Sequence, residues 1–82
     1  MVVLDAYLFG SYVKGTFNED SDIDIAIVSE QFTGDIIEDT FRLMRFRRDI
    51  DLRIEPHPFT PNDFVDDNPL VSEIKKYGIK II

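Results

Sequence analysis

The run Asp22-Ile23-Asp24-Ile25-Ala26-Ile27-Val28 constrains the fold of this 82-residue chain more than any other. Its side chains alternate with the period of an extended strand. Asp22 and Asp24 therefore share one face, and Ile23, Ile25 and Ile27 are expected to point into a core on the other. Two carboxylates on one strand face repel each other unless a cation sits between them or one takes up a proton. Oxygen-only ligation favours Mg²⁺ or Mn²⁺. The competing reading of the pair is a solvated strand face.

Upstream, Val2-Val3-Leu4-Asp5-Ala6-Tyr7-Leu8-Phe9 is nearly continuous in apolar strand formers and reads as a strand buried on both faces. It ends at Gly10-Ser11. Glycine there lets a backbone approach a ligand without a Cβ in the way, and serine offers a hydroxyl and an N–H where a helix can begin. The turn suits a phosphate, or else is an ordinary strand-to-helix junction with Ser11 as N-cap. Downstream, Ile50-Asp51-Leu52-Arg53-Ile54-Glu55 repeats the alternation, with Asp51, Arg53 and Glu55 on the face opposite the isoleucines and leucine. Paired beside the Asp22/Asp24 strand, Asp51 would complete a three-carboxylate cluster. Asp51 is preferred to Asp49 because it lies within the apolar alternation, with Arg53 and Glu55 as supporting positions.

Between these strands, residues 35–48 read as a helix starting near Thr33 or Gly34. Ile37, Phe41 and Met44 are spaced for one buried face. Acids come early and Arg42, Arg45, Arg47 and Arg48 late, as the helix dipole favours, and Glu38 can pair with Arg42. The prolines of 55–61 are expected to end the third strand and leave His57, the sole histidine, in a loop. Thr60 then caps a short helix. Asn68-Pro69 opens another through Leu70, Ile74 and Tyr77, Gly78 stops it, and Ile79–Ile82 form a closing strand.

A chain of this length forms one domain, residues 1–82, with a single modest core. The formal net charge of −7 works against capture of nucleic acid and leaves a nucleoside triphosphate as the more plausible ligand. There is no cysteine, no signal-peptide pattern and no apolar run long enough to span a bilayer, so no membrane association and a cytoplasmic location are expected.

Leu8-Phe9-Gly10-Ser11-Tyr12-Val13-Lys14-Gly15, then Ser21-Asp22-Ile23-Asp24, then Asp51 on a later strand resembles the DNA polymerase β nucleotidyltransferase superfamily, most closely its minimal nucleotidyltransferases. The resemblance covers roughly Tyr7 to Pro58. It implies an α/β (α+β) domain in its minimal version: a small mixed sheet in the order β-α-β-α-β, then a helical stretch and an edge strand. Helices would lie on one face and leave the acidic cleft on the other. It also implies that Gly10 and Ser11, with Lys14 as a further candidate, bind the triphosphate. Asp22 and Asp24 would hold two divalent metals, Mg²⁺ or Mn²⁺, and Asp51 would bind the catalytic ion or accept a proton. The implied reaction transfers AMP from ATP to a hydroxyl, with a HEPN-type helical protein as partner in a toxin–antitoxin pair. The alternative is a catalytically inactive module that neutralises such a partner by occlusion. Relatives of this type carry a helix before the first strand, whereas this chain starts within that strand. Either this is a truncated form of the chain, or another subunit covers the exposed apolar surface; a homo-oligomer is expected.

Overall fold

The alternating run becomes β2 (Ile23–Val28), second in a four-stranded sheet that also contains β1 (Asp5–Phe9), β3 (Ile54–Phe59) and the two-residue β4 (Ile79–Lys80). The computed structural model describes residues 2–15, 22–47 and 53–82. Asp51, with Ser21 and the stretch from Arg48 to Leu52, lies outside the described residues. A single turn, α1 (Ser11–Lys14), follows β1; α2 (Ile36–Arg47) crosses from β2 to β3; α3 (Pro69–Tyr77) precedes β4. The sheet order is β3-β2-β1-β4. β1 runs antiparallel to β2 and β4, whereas β2 and β3 are parallel. This is the small mixed α/β fold expected from the sequence. Among the described residues no helix is long and apolar enough to cross a membrane.

The register places Phe9 beside Asp24, Asp24 beside Glu55, and Ala26 between Tyr7 and His57. Strand periodicity then puts Tyr7, Phe9, Asp24, Ala26, Val28, Glu55, His57 and Phe59 on one face. Against that face pack Val71 and Ile74 of α3 together with Phe64, and Tyr7, Phe9 and Phe59 surround them. Phe64 lies 5.6 Å from the Tyr7 ring and 5.3 Å from the Phe59 ring. The core therefore lies on the face that carries Asp24, contrary to the expectation from β2 alone. Ile25 and Ile27 are half-buried while Ala26 is fully enclosed, because a small residue lets helix and phenyl ring come close. The acids occupy the end of the helix-covered stripe, not an opposite, open face. β1 also begins later than the apolar run suggests, with Val2 and Leu4 exposed before it.

α3 forms where the sequence places it. Asn68 Oδ1 accepts from the N–H groups of Leu70 and Val71, Pro69 occupies the first turn, and Gly78 N–H closes on the Ile74 carbonyl at 2.7 Å. β3 departs from expectation, because it runs through Pro56 and Pro58 without a break. Arg53 O accepts from Ile23 N–H and Phe59 O from Ser29 N–H, so odd-numbered backbone groups face β2. The proline nitrogens at even positions face outward from an edge strand, where no ladder donor is required. Nor does Thr60 start a helix. It makes one turn, accepting from Asp63 and Phe64 N–H and donating its hydroxyl to Asp63 Oδ2, which brings Phe64 into the core.

The largest departure is the rotation of α2. Ile37 and Phe41 of the expected inner stripe are 67% and 65% exposed, whereas Asp39 and Leu43 are buried. Asp39 fixes this rotation: Oδ1 accepts from Thr33 N–H and Thr33 Oγ1, and Oδ2 from Gly34 N–H, at 2.9–3.1 Å. The cap is Asp35, whose Oδ1 accepts from Ile37 and Glu38 N–H, in place of Thr33 or Gly34. Arg42 reaches the Gln31 carbonyl at 2.7 Å. Asp39→Ala strands the donors at Thr33 and Gly34, and is expected to cost about 2–3 kcal/mol. For a domain of this size the thermal midpoint should fall by on the order of 10 °C, and an unchanged midpoint would remove Asp39 as the anchor.

Candidate functional site

β1 passes into α1 through Gly10, whose φ of 80° and ψ of −148° belong to a region that glycine alone occupies readily. Its carbonyl accepts from Val13 and Lys14 N–H, turning the chain away from the sheet. The sheet neighbour of Phe9 is Asp24, so the carboxylate of Asp24 comes to rest on the bare Cα of Gly10. A Cβ there would collide with Asp24 Oδ2. The other oxygen, Oδ1, accepts from His57 Nε2 at 3.1 Å. The His57 ring meets Phe9 edge-on at 5.0 Å between centroids. Asp24 is thus clamped between a glycine backbone and an imidazole that is itself packed.

Asp22, just before β2, is exposed, and Glu55 is the parallel-strand neighbour of Asp24. The carboxyl of Glu55 is held above its ordinary value, chiefly by the hydrogen bond it shares with Asp22. Loss of solvent and the negative charges of Asp22 and Asp24 push the same way, and His57 opposes them. A hydrogen bond between two carboxyl groups needs a proton, and the upward shift means that Glu55 binds one more readily than a free glutamate does. This is one of the two ways in which crowded acids on a strand relieve their repulsion. The other is a cation, and the all-oxygen donors of Asp22 and Asp24 suit a hard divalent ion. Among the described residues, no three acid or histidine side chains already converge as a metal cage. Any third ligand from Asp51 lies outside the described residues.

Ser11 is the first residue of α1 and makes no side-chain cap. Lys14, at the end of that turn, pairs with Glu73 of α3 at 3.0 Å, and both side chains are about half exposed. Such a surface pair is worth little and exchanges readily for another anion. Between α1 and α3 a cavity of about 160 Å³ opens beside Gly10, lined by Phe9, Val13, Leu70, Ile74 and Tyr77 with Lys14 and Glu73 at the charged positions.

Of the expected site residues, the structure joins Gly10 directly to Asp24, sets Asp22 close by, and places Ser11 and Lys14 on the turn that Gly10 opens. It adds His57, which the prolines on either side make look like a loop residue. The available signal was position: His57 follows Glu55 by two and shares its face once Pro56 is allowed on an edge strand. A comparison with curated proteins gives no match. The model of the nucleotidyltransferase domain matches residues 2–81, a span that takes in the Gly10-Ser11 turn, both strand acids and the closing helix and strand; the chain belongs to this nucleotidyltransferase family.

Proposed function

We propose that the protein transfers AMP from ATP to a hydroxyl acceptor with the help of a divalent cation, Mg²⁺ or Mn²⁺, and that Asp22, Asp24 and Asp51 hold the metal. The observation that carries this reading is the seating of the Asp24 carboxylate on the Gly10 backbone, which couples a phosphate-sized turn to an acid in one small site. A bound divalent ion supplies neutralising charge for the triphosphate and lowers the pKa of an attacking hydroxyl. The chain's own groups do the rest. Gly10 allows the β- and γ-phosphates to approach the backbone, Ser11 contributes its hydroxyl, and Lys14 moves from Glu73 to a phosphate oxygen. His57 holds Asp24 in one orientation. A cation beside Asp22 would oppose the upward shift of Glu55 and favour its carboxylate form.

For the acceptor, the reading extends to a hydroxyl on a HEPN-type helical partner in a toxin–antitoxin pair, on the strength of the resemblance. The joint presence of Gly10, Asp22 and Asp24 in one place argues against a module that acts by occlusion alone. Calorimetric titration with ATP tests the core of the proposal without needing the acceptor. Binding is expected in Mg²⁺ and should be weaker by at least about tenfold in chelator, given the charge that the acids present to a triphosphate. A folded sample that binds ATP equally well without metal, or never binds it, would overturn the reading.

A further inference from the structure

The stripe that α2 builds for burial, Ile37, Phe41 and Met44, is not covered by the chain's own core. Asp39 and Leu43 face inward instead, and Ile36, Ile37 and Phe41 are each about two-thirds exposed. With Thr40 these residues line an apolar groove of about 330 Å³ along the outside of the helix. From this surface alone the occupant is undefined, but the charges beside it are selective. Glu38 and Arg45 are both exposed and stand seven residues apart, so they occupy the same position around the helix at opposite ends of the stripe.

We propose that this face joins two copies of the chain, with their α2 helices packed antiparallel about a two-fold axis near Phe41. In an antiparallel helix pair, like positions on one flank face each other with the chain direction reversed. Glu38 then meets Arg45 of the partner subunit and Arg45 meets Glu38 of the partner subunit, an arrangement that closes on itself with two-fold symmetry. The centre of the Glu38–Arg45 pair falls between positions 41 and 42, within one residue of Phe41, the middle residue of the apolar stripe. Charge and shape therefore select the same axis. A 12-residue helix is only ~18 Å long, so the contact is small by the standard of stable complexes and the dimer is concentration-dependent. The net charge of −7 on each chain adds long-range repulsion that the Glu38–Arg45 contacts offset locally.

Sedimentation of the purified protein over a concentration series tests the proposal, with circular dichroism confirming that each variant is folded. The wild-type mass should rise from 9.5 kDa towards twice that value, and Phe41→Glu should hold it at the monomer. Glu38→Arg and Arg45→Glu should each weaken self-association roughly tenfold, because each leaves two like-charge contacts. An equimolar mixture of these two variants should recover association, since every arginine then faces a glutamate. A wild-type monomer even at millimolar concentration would overturn the proposal and leave the face to a different partner. So would a dimer indifferent to the charge changes, or a mixture that fails to recover. None of these outcomes depends on nucleotide binding.

Discussion

Asp24→Asn is expected to abolish nucleotidyl transfer while leaving the protein folded. The carboxylate is gripped on both sides, by the Gly10 backbone and by His57 at 3.1 Å, so its orientation is fixed by two contacts. Asparagine has the same shape and keeps a carbonyl oxygen that can accept from His57 Nε2, so the grip survives. The negative charge does not. If Asp24 holds the metal as proposed, removing a charged oxygen there should reduce the rate well beyond the ~10–100-fold typical for loss of an outer partner of a metal ligand. Stability should stay level or rise, because Asp22 and Glu55 lose a like-charged neighbour. Pyrophosphate release from ATP, followed alongside a thermal melt, separates the two effects. Full activity in a folded Asp24→Asn protein would withdraw Asp24 from the mechanism.

Gly10→Ala should damage both fold and activity. Two independent penalties act at this position: a backbone conformation that costs a non-glycine residue of order 1–3 kcal/mol, and a Cβ placed on Asp24 Oδ2. Asp24 can escape the collision only by leaving His57, which forfeits a charge-assisted hydrogen bond. The combined loss should be roughly 2–4 kcal/mol, a large part of the stability of a domain this small. A double-mutant cycle tells the penalties apart. In an Asp24→Ala background the collision disappears but the backbone strain remains, so Gly10→Ala should cost less there than in the wild type. Equal costs in the two backgrounds would show that contact with Asp24 is not what the glycine permits.

β1, β2 and α3 were legible in the sequence because their signals are local. Alternation marks β2, Asn68-Pro69 and Gly78 bracket α3, and the Gly10-Ser11 turn falls where an apolar run stops. The rotation of α2 was not legible, because the helix offers two candidate inner faces and the choice is made by three hydrogen bonds from Thr33 and Gly34 to Asp39. An aspartate at the centre of a buried face contradicts the apolar pattern until its donors are known. Within the site, the shared strand face of Asp22 and Asp24 followed from periodicity. His57 did not, because whether a proline-rich segment can be a strand depends on its lying at the sheet edge, which is decided by pairing elsewhere in the chain. The face on which the acids lie also escaped the sequence, since Ala26 weighs little in a hydrophobic pattern yet is fully buried in the core with Val71 and Ile74 of α3.

The prolines of β3 have a consequence for how this molecule meets others. Pro56 and Pro58 have no N–H to offer along the outer side of β3, and the opposite margin of the sheet is a strand of two residues. An extended peptide that tried to lengthen the sheet beside the acids would find carbonyls without alternating donors, and at β4 too short a template to hold it. The sheet is thus closed to growth by backbone chemistry instead of by a covering element. An acceptor must therefore reach the acids by an approach over the end of the strands, and assembly is directed to helix surfaces.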